Sequence, residues 1–158
     1  MRPNHRAQVP AIAAACARHG VSLTLRGAGT GNYGQCVPLA GGLVFDASGL
    51  NRLLELDPVT GAFTAEPGLL LGDLEQQLQQ RGWEPRLLPS TVRSASLGGF
   101  VAGGSGGIGS LRWGFLRDPG HLLGLELVTV EPAPRRLQLD AAAARPLNHA
   151  YGCNGIIT

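Results

Sequence analysis

Two stretches of nearly bare backbone carry the chemistry this sequence offers. The first reads Arg26-Gly27-Ala28-Gly29-Thr30-Gly31-Asn32-Tyr33-Gly34-Gln35. The second runs from Pro89 and Ser90 through Ser96, Gly98, Gly99, Gly103, Ser105, Gly106 and Gly109 to Gly114. Successive amides with almost no side chains can converge on one anionic oxygen, and a diphosphate suits such a nest. Each amide hydrogen bond to a charged oxygen contributes roughly 1.5–3 kcal/mol net, so three or four can anchor a nucleotide without lysine. Lysine is in fact absent, since all 13 basic residues are arginine. That excludes a Walker phosphate loop, pyridoxal Schiff bases and Schiff-base aldolases.

Gly29 to Gly34 reads GTGNYG, which matches the GxGxxG pattern of a Rossmann dinucleotide site. The context does not fit. A Rossmann loop opens a helix whose N-terminus holds the pyrophosphate, whereas Pro38 falls here where that helix would have its interior. The remaining reading is a strand followed by an anion-binding loop without a helix, with polar Thr30, Asn32 and Gln35; a plain flexible turn is the bland alternative. The second stretch is too apolar for a solvated linker and too glycine-rich for an ordinary helix or strand. Buried bare backbone must satisfy its amides, and a large polar ligand packed against it does so. Two such walls face to face could sandwich an extended dinucleotide.

The elements that must position these walls are partly readable. Residues 8–19 set Val9, Ile12, Ala13 and Cys16 at helical spacing, with Gly20 as the stop. Residues 70–81 repeat the pattern with Leu71, Leu74 and Leu78, Asp73 and Glu75 early and Arg81 late. Strands are expected at 21–26 and 43–46, and hairpins at 53–57 with 62–66 and at 123–130 with 135–139. The chain closes on Ile156-Ile157-Thr158, a strand just begun. Helices between short strands and hairpins argue an α+β fold with mixed or antiparallel sheets and flanking helices.

Composition narrows the classes further. The 158 residues are 44% hydrophobic, which is enough for a core and argues against disorder. Glycine reaches about 15% where about 7% is ordinary, without the fixed period of a collagen or solenoid. A net charge of +2 with scattered arginines gives no stripe for a nucleic-acid backbone. No apolar run spans a membrane and no secretory core follows Met1, so a cytoplasmic location is expected. Cys16, Cys36 and Cys153 are odd in number and far apart, which reads as three reduced thiols with no metal site.

Taken in order, VSLTLR into RGAGTGNYGQ, the strand LVFD, TAEPG at 64–68, SASLGG, SLRWG and the closing YGCNGIIT resemble one family. It is the FAD-binding domain of FAD-linked oxidases, the PCMH type. That superfamily includes vanillyl-alcohol oxidase, p-cresol methylhydroxylase, and the flavin subunits of glycolate oxidase and D-lactate dehydrogenase. The resemblance runs through nearly the whole chain. It implies a two-subdomain FAD-binding domain over residues 1–158, partial at both ends and without the family's substrate (cap) domain.

Residue by residue, the resemblance implies that Gly27, Ala28, Gly29, Thr30 and Gly31, with Asn32, wrap the FAD diphosphate through backbone amides, and that Arg26 is among the cofactor-binding residues. Ser96, Gly98 and Gly99 contact it or the ribityl from the other side. Gly103, Ser105, Gly106 and Gly109 line the flavin wall, Ile157 contacts the cofactor by its backbone, and Pro89 and Ser90 lie near the ring. Some family members tether flavin through a His in the first loop or a Cys in the second. Thr30 stands at the His position and no Cys lies between residues 37 and 152, so dissociable, non-covalent FAD is expected.

The implied function is oxidation of a small organic substrate, of the 2-hydroxy acid type, by hydride transfer to flavin, with the electron acceptor left open. The alternatives are an enolpyruvyl-type flavin reductase of the same superfamily and a non-catalytic nucleotide-binding or decayed fragment. No catalytic acid/base pair is nominated. His121 and His149 read as structural or surface residues, and Trp83 and Trp113 as packing. Arg112 could serve either the cofactor or a surface salt bridge.

Overall fold

The computed structural model describes residues 1–158. The chain builds five helices and seven strands: α1 (Val9–Arg18), β1 (Leu23–Arg26), β2 (Leu43–Asp46), β3 (Leu53–Leu56), β4 (Phe63–Ala65), α2 (Leu71–Gln79), α3 (Leu97–Gly103), α4 (Ser110–Trp113), β5 (Gly124–Val128), β6 (Arg136–Asp140), α5 (Ala141–Ala144) and β7 (Ile156–Ile157). The fold is α+β, with three small sheets. β1 pairs parallel with β2, β3 pairs antiparallel with β4, and β5 is central between antiparallel β6 and β7. No helix is long and apolar enough to cross a membrane.

Two hydrophobic cores follow from the two periodic helices. α1 buries Val9, Ala13 and Cys16, and Val9 and Ala13 pack with Phe45 of β2, Leu50, Val128 of β5 and Ile156 of β7. α2 buries Leu71, Leu74 and Leu78 against Leu69, Leu87, Ala95 and Phe100. The first core thus holds β1–β2 beside the β6–β5–β7 sheet, and the second holds α2 beneath α3. Glu66, fully buried just after β4, closes the open end of the β3–β4 hairpin against Arg52, which immediately precedes β3. The Arg52 guanidinium grips its carboxylate at 2.8 and 3.2 Å, and the Arg52 amide donates to it at 2.9 Å. Burial pushes the Glu66 carboxyl up, but the Arg52 bonds and charge outweigh it and hold the group below its ordinary range.

One expectation about the second glycine stretch fails. Seven of its residues, Leu97–Gly103, are helical despite three glycines among them. Tertiary packing overrides propensity here: Phe100 and Val101 are buried, and a Cβ at Gly98 would collide with Pro67. Ser96 starts the helix, its Oγ accepting from the Gly99 amide, and Gly104 ends it in the left-handed conformation at φ 60°. The strand expected at 21–26 begins at Leu23, two residues late, and the short helix α5 after Asp140 was not foreseen.

Candidate functional site

β1 runs straight into the first glycine stretch. From Gly27 to Gly42 the chain forms turns and no helix, then returns as β2 alongside β1 with Arg26 opposite Asp46. This parallel return leaves the loop lying over the end of the pair, where it meets the N-terminus of α3. A cleft of about 340 Å³ opens between them, within the size range of small-molecule sites.

Sixteen of the seventeen residues singled out from the sequence line this one cleft: Arg26, Gly27, Ala28, Gly29, Thr30, Gly31, Asn32, Pro89, Ser90, Ser96, Gly98, Gly99, Gly103, Ser105, Gly106 and Ile157. Gly109 is the exception and does not line it. It precedes α4 at φ 94°, where a Cβ would collide with the Arg86 carbonyl, so its bareness serves a turn and a close backbone approach away from the cleft.

Ser96 joins the two walls. It is buried, and its Oγ accepts from the Ala28 amide at 3.2 Å and from the Gly99 amide at 3.3 Å. A Cβ at Gly27 would collide with that same oxygen, so the first loop can approach only because Gly27 is bare. The Ala28 amide is therefore committed to the protein. The amides from Gly29 to Cys36, and those of Ser105 and Gly106, have no partner within the chain. With two acceptor bonds made, Ser96 still has its hydroxyl hydrogen to donate.

Gly103 has open space around it beyond its own helix and chain neighbours. Its φ is not positive, and the only atom within 4 Å of a Cβ placed there is Ser105 Oγ, at 3.7 Å. No contact from outside the helix therefore requires glycine at this last position of α3. The cleft's electrostatics are simple. Arg26 is the one charged side chain lining it, and Arg26 forms no salt bridge. An unpaired guanidinium beside unpaired amides is a setting for an anion.

The sequence reading missed a third wall. Tyr151, Gly152, Gly155 and Ile156 line the cleft beside Ile157, and so do Pro67, Phe45 and Cys36. Gly152 would have been findable, because its closing YGCNG repeats the bare-backbone signal of the other two stretches. Arg112 and Trp113 stand elsewhere. The Arg112 guanidinium lies 4.7 Å from the Trp113 ring centroid, and neither residue lines the cleft. Trp83 packs on the second core, as expected.

A family model described as "FAD binding domain" matches residues 1–132. The chain belongs to this family. FAD is the cofactor the domain binds, and the open amides, the single cation and the bare third of the helix wall fit a large anionic dinucleotide. The glycolate oxidase subunit GlcD of Bacillus subtilis is 31% identical over 126 residues, covering 80% of this chain and 26% of that protein. Mitochondrial D-2-hydroxyglutarate dehydrogenase of Bos taurus is 30% identical over 131 residues, covering 83% and 24%. The domain thus spans about a quarter of the curated relatives it matches. Among solved structures, aclacinomycin oxidoreductase superposes with a TM-score of 0.79 at 28% identity, over 99% of this chain and 33% of that one. Alkyldihydroxyacetonephosphate synthase, at 24% identity and a TM-score of 0.84, shares the fold over 100% of this chain and 32% of its own. The FAD-binding domain described here is homologous to the corresponding part of flavin oxidoreductases.

Proposed function

We propose that this chain is the FAD seat of an oxidoreductase that acts on a small organic substrate of the 2-hydroxy acid type, with the cofactor held non-covalently. The observation that carries the reading is the junction at Ser96, which brings two bare walls together while leaving the amides beyond Gly29 open. When bound, FAD supplies a hydride acceptor.

The protein's part is binding and orientation. In this reading the amides of Gly29, Thr30, Gly31 and Asn32 donate to diphosphate oxygens, and the Ser96 hydroxyl donates from the opposite wall. Arg26 offsets the diphosphate charge from the loop's edge. Gly98, Gly99 and Gly103 keep the α3 face low enough for the dinucleotide to lie along it, and Ser105 and Gly106 extend that face. Pro89, Ser90 and the backbone at Ile157 border the ring. Similarity to a glycolate oxidase subunit and a 2-hydroxyglutarate dehydrogenase supports the 2-hydroxy acid class. A reducing, cytoplasmic setting accompanies the reading, because all three cysteines are unpaired.

The experiment is a titration of FAD with the purified chain, followed by flavin fluorescence. Saturable one-to-one quenching supports the proposal, and flavin fluorescence indifferent to the chain refutes it. Oxidation of glycolate and D-2-hydroxyglutarate, tested with the full-length gene product, then decides the substrate class.

A further inference from the structure

We propose that Tyr151, held in place by His149, is an aromatic binding residue for the nucleotide in the cleft. This rests on the FAD reading above and adds a contact outside the two glycine walls. Tyr151 and His149 are the only residues other than glycine with positive φ, at 51° and 65°. An L side chain is strained there, so neighbouring contacts must hold both residues.

Those contacts come from the end of α3. The Tyr151 amide donates to the Ala102 carbonyl at 2.9 Å, the His149 amide to the Val101 carbonyl at 3.2 Å, and Asn148 Nδ2 to that same carbonyl at 2.9 Å. Gly104 makes the approach possible, since a Cβ there would collide with His149. His149 Nε2 then lies 3.1 Å from Tyr151 Oη, and the two rings meet edge to face with centroids 5.2 Å apart.

The core has no need of this arrangement. Tyr151 is half-buried, His149 is exposed, and neither belongs to a hydrophobic cluster. Strain kept without burial points to a ligand. The glycine walls offer amides, a hydroxyl and one guanidinium, all suited to the diphosphate, whereas a dinucleotide also carries flat rings. Of the two tyrosines lining the cleft, Tyr33 is 84% exposed with no hydrogen bond, while Tyr151 is fixed by its partner. A tyrosine fixed in this way presents its ring at little entropic cost.

The test uses Tyr151→Gly and His149→Gly, because glycine adopts a positive φ freely and so separates fold from binding. Thermal stability and FAD affinity are measured on each, with Tyr151→Asn as a second variant that also tolerates the left-handed backbone. The expected result for Tyr151→Gly is a melting temperature no lower than that of the wild type with affinity for FAD weakened about ten-fold, the size of one lost stacking contact. His149→Gly should keep its melting temperature and weaken FAD about three-fold, by freeing the ring. Wild-type FAD affinity in both Tyr151 variants overturns the inference and leaves the FAD reading intact. Absence of FAD binding by the wild-type chain overturns both.

Discussion

The Ala28 amide donates to Ser96 Oγ at 3.2 Å across 68 residues of sequence. This bond sets the distance between the glycine loop after β1 and the start of α3. Ser96 is at once the cap of α3 and the clasp of the cleft, so local helix chemistry and site geometry share one atom.

Ser96→Ala removes both roles. Loss of an N-cap costs about 0.5–2 kcal/mol, so the melting temperature should fall by a few degrees. FAD affinity should fall about ten-fold or more, since the clasp and one donor to the diphosphate go together. Calorimetry and fluorescence titration check the pair. A variant that loses stability and keeps its affinity would show that Ser96 acts on the fold alone.

Gly103→Ala separates the same two properties in the other direction. The protein leaves room for a methyl group there, with only Ser105 Oγ within 4 Å, at 3.7 Å. Alanine should leave stability unchanged or raise it by up to about 1 kcal/mol. FAD binding should weaken, because the methyl group occupies cleft space.

Cofactor attachment is tested by acid precipitation of the loaded chain. Non-covalent FAD leaves with the supernatant, as the reading of Thr30 predicts. Cys36 lines the cleft just past the first loop. Flavin retained on a peptide containing Cys36 would overturn the non-covalent reading.

Acid stability should follow Glu66. Its carboxyl is held below its ordinary range in the folded chain, so its contribution is fully present above the unfolded value of about 4.3 and is lost as pH falls through the folded value. Glu66→Gln should therefore lower the melting temperature at pH 7 and flatten its fall below about pH 4. Asp46, Asp57 and Glu131 are also held low, so some acid dependence remains in the variant.

Much of the scaffold was legible because α1 and α2 each bury one face at helical spacing and the two hairpins alternate around turn residues. The glycine loop was legible as a loop because Pro38 forbids the helix that a Rossmann site needs. What the sequence could not show is long-range pairing. Nothing local says that β1 lies parallel to β2 or that Tyr151 comes to rest on the end of α3, since both depend on contacts made only after folding. α3 was missed because glycine propensity argues against a helix, whereas burial of Phe100 and Val101 and the fit of Gly98 on Pro67 decide for one. The turn at Gly109 was not legible either: one bare residue in a bare stretch looks like its neighbours, and only its φ and the Arg86 carbonyl show the turn.

The most direct test is an experimental structure of the chain with FAD. The account predicts diphosphate oxygens about 2.7–3.2 Å from at least two amides between Gly29 and Asn32 and from Ser96 Oγ on the facing wall. A nucleotide seated elsewhere, or one whose diphosphate is held by side chains while those amides face solvent, would contradict it.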